Sequence, residues 1–213
     1  TAPIKSYLSY TLPVVGAGWI IALTGLIDDV KELSAKKKMI GILLAASLVW
    51  FLTDFRLNDF KIPFGGPLLH FEPWLSYLLT VIWIVAITNA VNLIDGLDGL
   101  VSGVSIISLV TMGIVSYFFL PVPNLFLTMT IFVLVASIAG FFPFNYHPAI
   151  IYLGDTGALF IGFMISVLSL QGLKNATAVA VVTPMIILGV PITDTFLAII
   201  RRTLSGQKFY KPD

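Results

Sequence analysis

Apolar residues run along this chain in long blocks broken by short polar stretches. Seven blocks reach or approach the about 17–25 residues that a membrane-spanning helix needs. They lie at roughly 8–27, 39–55, 73–93, 99–120, 124–144, 157–172 and 177–200. Within the fourth block, Gly103, Ser105, Ser108 and Gly113 are the small residues that let helices pack closely in lipid. Pro184 and Pro191 fall inside the last block, where neighbouring helices can satisfy the freed backbone groups, so a kink is expected rather than a break. No repeat or low-complexity segment interrupts the series. The pattern predicts an all-α fold: a polytopic integral membrane bundle of about seven transmembrane helices, with residues 1–213 forming a single transmembrane domain.

Composition narrows the picture. Hydrophobic residues make up 58% and charged residues 11% of the 213 positions, and mean hydropathy is +1.00. A soluble domain carries roughly 25% charged residues. Twelve basic and 11 acidic side chains could not cover a water-facing surface. This excludes a soluble enzyme, a nucleic-acid binder and a disordered segment, and makes the lipid bilayer the first partner. The net charge of +1 adds nothing, and the absence of cysteine removes disulfide and thiol chemistry. The chain opens on Thr1 without a charged leader region and ends in a polar stretch at Lys211-Pro212-Asp213, so it reads as a piece of a longer protein.

Sidedness follows from the basic residues. Seven spans place 28–38, 94–98, 145–156 and 201–213 on one side, with Lys31, Lys36, Lys37, Lys38, Arg201, Arg202, Lys208 and Lys211. The other side has Lys5, Arg56, Lys61 and Lys174. The positive-inside rule puts the first set in the cytoplasm. Acids follow: Asp28, Asp29, Glu32, Asp95, Asp98, Asp155 and Asp213 share that face, with Asp194 close by, against Asp54, Asp59 and Glu72 opposite. Carboxylates contribute little to orientation, so their gathering there needs another cause. An active site supplies one.

Four polar clusters carry the chemistry. Asp28-Asp29 ends the first apolar block, and Lys36-Lys37-Lys38 opens the second. The helix macrodipole disfavours acids at a C-terminus, so something cationic should offset the pair: a metal, a lysine, or both. Alone, the lysines read as a topogenic run. In Asn89–Leu100, residues Asn89, Asn92 and Asp95 recur every third position on one helical face, and two Asp-Gly steps then turn the chain. Caps use the same residues, but polar groups this dense in a membrane protein favour a site. The third cluster holds His147, Tyr152 and Gly154-Asp155-Thr156-Gly157. Asp155-Thr156 reads as a helix N-cap, and such a helix end attracts phosphate. His147, alone before a proline, reads more readily as structural than as a base. Tyr152 suits either an interfacial anchor or a platform for stacking a base. In the fourth cluster, Asp194 precedes Arg201-Arg202, a pair that serves topology or clamps a diphosphate. Hard oxygen donors without a Cys or His cluster point to Mg²⁺, with Mn²⁺ the alternative. Phosphoryl transfer at the cytoplasmic membrane surface follows from that donor set.

At these motifs the sequence resembles the polyprenyl-phosphate N-acetylhexosamine-1-phosphate transferases, glycosyltransferase family 4. The resemblance rests on Asp28-Asp29, Asn89–Leu100, Gly154-Asp155-Thr156-Gly157 and Pro191–Arg202 with Phe209-Lys211-Pro212-Asp213, in that order along nearly the whole chain. The Arg201-Arg202 and Pro212-Asp213 endings look like the branch that uses UDP-GlcNAc, for teichoic-acid, O-antigen or related linkage, rather than the branch that takes UDP-MurNAc-pentapeptide. Family members have ten or eleven spans, so the chain looks like the central seven, without the first two or so helices and the His-rich loop that follows.

The resemblance implies transfer of N-acetylglucosamine-1-phosphate from UDP-GlcNAc to undecaprenyl phosphate, with release of UMP. The enzyme would lie in the bacterial inner membrane with its site facing the cytoplasm, and a homodimer is a candidate assembly. The resemblance makes Asp155 the carboxylate ligand of Mg²⁺, with Asn92 its partner, and assigns Asp28 and Asp29 to the lipid phosphate. Lys38 would contact phosphate oxygens, Tyr152 would stack on uracil, and Asp98 with Gly99 would read its edge. Asp95 falls in the same pocket, and Arg201 and Arg202 are diphosphate candidates. A competing class, a cation-coupled transporter, should hold its carboxylates near the bilayer midplane; these lie at helix ends.

Overall fold

The computed structural model describes residues 2–61, 67–118 and 125–173. Six helices appear in these segments: α1 (Ala2–Lys31), α2 (Ala35–Leu52), α3 (Pro73–Leu93), α4 (Leu100–Phe118), α5 (Leu125–Asn145) and α6 (Gly154–Leu173). Four are long and apolar enough to cross a membrane: Thr11–Lys31 of α1, and α3, α4 and α5. In α6, Gly154–Leu170 is a shorter apolar helix, and α2 opens with three lysines before its apolar run. The protein is a polytopic, mostly helical membrane protein. The seventh expected span, 177–200, lies outside the described residues.

Each helix begins or ends within a few residues of its apolar block, with one consequential shift. α1 continues to Lys31 instead of stopping near 27, so Asp28 and Asp29 stand in its last turn. The connection 56–72 is not featureless. Strands β1 (Asp59–Lys61) and β2 (Leu68–His70) pair antiparallel, with Asp59 opposite His70. Three-residue strands are too short to leave a period in the sequence; the run Gly65-Gly66-Pro67, residue types that favour turns, was the available signal.

α6 is the spine of the bundle. Its Leu159, Phe163, Val167 and Leu170 enter a core with α1, α2 and α3. A second stripe, Ile161, Ile165 and Leu168, enters a core with α3, α4 and α5. A helix that is apolar all round buries itself on all sides, and α6 is buried at almost every position from Ala158 to Leu170. The outer helices instead turn large side chains such as Leu44, Trp19 and Val133 outward, where lipid replaces water.

Lipid tails are as apolar as leucine, so helix association rests on close packing and interhelical hydrogen bonds. Small residues provide the approach. A Cβ on Gly25 of α1 would lie 2.5 Å from Thr156 Cα of α6, and one on Gly162 of α6 would lie 2.9 Å from Thr88 Cα of α3. Polar ties add to this: Trp83 Nε1 of α3 donates to Ser169 Oγ of α6 at 2.9 Å, and Ser102 Oγ of α4 donates to Asn145 Oδ1 at 2.7 Å. Alternating helix directions bring the ends of α1, α3 and α5 and the starts of α2, α4 and α6 to one face of the bundle.

Candidate active site

Four helix ends meet at that face. Lys38, in the first turn of α2, ion-pairs with Asp28 Oδ2 of α1 and reaches Asp155 Oδ1 of α6 at 3.1 Å. Asn92, in the last turn of α3, donates its side-chain amide to the same Asp155 oxygen. Asp28 is only 5% exposed, and its other oxygen accepts the Leu33 N–H at 2.6 Å. The cation that Asp28 requires is therefore Lys38, shared between Asp28 and Asp155.

Asp29 finds a different partner. Its Oδ1 accepts the Asp155 N–H at 2.8 Å; its Oδ2 accepts the Thr156 N–H at 3.1 Å and the Thr156 hydroxyl at 2.5 Å. The sequence motif places a cap at Asp155-Thr156, but the helix already starts at Gly154, and the first helical acceptor is the Leu153 carbonyl. Leucine at the N-cap offers no side-chain acceptor, so the carboxylate of another helix supplies it. Thr156 is the functional group that the sequence reading undervalues; its signal was the missing cap residue before Gly154.

Asp95 lies in the turn after α3. Burial, reinforced by the negative charges of Asp155 and Asp29, pushes its carboxyl up to about 6. The cost of holding it ionised is absent below the ordinary value of 3.8 and fully present above about 6. Asp95→Asn should therefore raise the unfolding temperature at pH 7.5 and leave it almost unchanged at pH 4. Thermal melts in lipid nanodiscs check this, and a variant less stable than its parent at pH 7.5 would contradict it.

Asp98 and Gly99 build a neighbouring platform. Asp98 Oδ2 accepts the Ala149 N–H at 3.1 Å and lies 2.9 Å from His147 Nδ1; these two contacts, the Ala149 one foremost, hold its carboxyl below the usual carboxylate range. His147 thus anchors the loop before α6. Gly99 has φ +72°, and a Cβ there would meet the Tyr146 Cα at 3.4 Å. Gly96 has open space around it. The two Asp-Gly steps are alike in sequence and unlike in conformation. Gly99→Ala should cost about 1–2 kcal/mol, the left-handed penalty of an L-residue, while Gly96→Ala should leave stability unchanged; equal melts for both would contradict the distinction.

Other expected site residues fall elsewhere. Tyr152 is exposed on the same loop. Asn89 shares a face with Asn92 by spacing, yet its amide donates back to Val85 O at 2.8 Å and does not join the cluster. Arg201 and Arg202 lie outside the described residues.

Among the described residues, no three Asp, Glu or His side chains converge on one point. Mg²⁺ does not require such a cage, since it takes one or two carboxylates and completes its shell with water and substrate phosphates. Asp155 beside Asn92, with the Asp95 carboxyl near enough to feel the Asp155 charge, matches that donor pattern.

A family model described as glycosyl transferase family 4 matches residues 11–173. The chain is 47% identical over 205 residues to a probable undecaprenyl-phosphate N-acetylglucosaminyl 1-phosphate transferase of Bacillus subtilis, covering 95% of this chain and 55% of that protein. It is 35% identical over 218 residues to a decaprenyl-phosphate N-acetylglucosaminephosphotransferase of Mycolicibacterium smegmatis, covering 94% and 53%. It is 38% identical over 162 residues to a phospho-N-acetylmuramoyl-pentapeptide-transferase of Staphylococcus saprophyticus, covering 70% and 49%. The chain spans about half the length of the curated relatives it matches.

Proposed function

The chain belongs to glycosyl transferase family 4, and from that membership and the acid–lysine site we propose that it is the core of a phosphoglycosyl transferase. The reaction is transfer of N-acetylglucosamine-1-phosphate from UDP-GlcNAc to undecaprenyl phosphate at the cytoplasmic membrane face, releasing UMP. The observation that carries the reading is the convergence of Asp28, Lys38, Asn92 and Asp155 from four helices at one end of the bundle. Lys31, Lys36, Lys37 and Lys38 crowd the same end, which supports a cytoplasmic orientation.

An oxygen of the lipid phosphate attacks the sugar-linked phosphorus; the bond from that phosphorus to the bridging oxygen breaks, and UMP leaves with the electron pair. The acceptor monoester has a second pKa near ~6 and is largely dianionic at neutral pH, so a general base contributes little. Asp28, ion-paired and buried, holds the Lys38 ammonium where it can meet phosphate oxygens. Asn92 and Lys38 fix the orientation of Asp155. Bound Mg²⁺, held by Asp155 and Asn92, would supply neutralisation of the diphosphate charge.

UDP-GlcNAc labelled with ³²P at the β-phosphate tests this reading, with the full-length protein in lipid and undecaprenyl phosphate as acceptor. Label moving into lipid, with unlabelled UMP released, is the expected result. Label retained in UDP would mean simple glycosyl transfer and overturn the proposal.

A further inference from the structure

We propose that Asp29 is a positioning residue that sets Asp155 by capping α6 from the end of α1, and that it does not touch the acceptor phosphate. The inference deepens the phosphotransfer reading and rests on it for its kinetic arm. Both Asp29 oxygens are taken by donors at the second and third positions of α6, the N–H groups that an N-cap side chain normally satisfies. These bonds join residues 126 and 127 positions apart, so they fix one helix against another rather than a local turn.

The seat is shaped for this contact on both sides. Gly154 sits at φ +60°, and a Cβ there would come within 2.9–3.2 Å of the Asp29 carboxylate. One turn earlier on α1, Gly25 lets the Thr156 backbone approach to van der Waals distance. Electrostatics agree with the geometry: a carboxylate disfavoured at the C-terminus of its own helix lies at the positive N-terminus of another. Asp28 and Asp29 are adjacent in sequence and perform different tasks, one holding Lys38 and the other holding the backbone that bears Asp155.

The test compares Asp29→Asn, Thr156→Val, Thr156→Ser and the double variant Asp29→Asn/Thr156→Val in the full-length protein in lipid, measuring acceptor and donor kinetics and amide hydrogen exchange across 155–157. A positioning role predicts a kcat loss of roughly 100-fold for Asp29→Asn, the usual cost of about 1 Å of misplacement, with the acceptor KM unchanged. Thr156→Val should lose about tenfold, the scale of one lost cap bond, and Thr156→Ser should retain the parent rate. The double variant should be no worse than Asp29→Asn, and amides 155–157 should exchange faster in Asp29→Asn and in Thr156→Val. A raised acceptor KM in Asp29→Asn, with Thr156→Val silent, would overturn the proposal in favour of direct phosphate contact. If the parent protein transfers no sugar phosphate, the functional reading fails separately; the exchange arm still decides the clamp, and unchanged exchange in both variants would overturn it.

Discussion

Replacing Lys38 with methionine should destabilise the protein by about 3 kcal/mol or more, the scale for removing one partner of a buried ion pair. Methionine keeps most of the side chain's length, so the loss is that of charge and hydrogen bonding. Asp28, 5% exposed, keeps the Leu33 N–H but loses its cation, and Asp155 loses a donor on Oδ1. Two carboxylates and the nearby Asp95 then face one another without a positive side chain among the described contacts. On the proposed function the phosphate loses its ammonium partner as well, so transferase activity should fall about 100-fold or more, as for loss of a preorganised charge stabiliser. Adding Asp28→Asn to Lys38→Met should restore most of the stability, because the buried charge is gone along with its partner, while activity stays low. Thermal unfolding in nanodiscs reads the first effect and UMP release the second. A double variant no more stable than Lys38→Met alone would show that the ion pair is not what holds α1 and α2 at this end.

The membrane helices were legible because each one's lipid-facing and core-facing sides are both apolar, leaving a block no other element produces. Their ends were less so: α1 runs past its apolar block because Asp28 and Asp29 are stabilised by other helices, not by their own. The β1–β2 hairpin left no period, being three residues per strand. Within the site, the need for a cation beside Asp28 followed from the helix dipole alone, and Lys38 meets it. The partner of Asp29 could not be read, since it depends on the packing of residues 126 positions apart. Spacing also grouped Asn89 with Asn92 and Asp95; sharing a face does not compel sharing a partner, and the Asn89 amide closes on its own helix. His147, read as structural, lies 2.9 Å from Asp98 and ties the 145–153 loop to the turn after α3.

Asp155 is the point at which Lys38, Asn92 and the α6 helix end meet, so the account stands or falls on its charge. Asp155→Asn keeps the side chain's shape and leaves Oδ1 able to accept from Lys38 and Asn92, so the fold should be preserved. The predicted loss is about 10³-fold in turnover, the upper range for removing a single preorganised electrostatic contact in a transition state. The direct measurement is UMP release from UDP-GlcNAc and undecaprenyl phosphate by the parent and Asp155→Asn proteins, full-length and in the same lipid, with melts to confirm equal folding. The account predicts acceptor-dependent UMP release by the parent and almost none by the variant; release at the parent rate by a folded Asp155→Asn protein would contradict it.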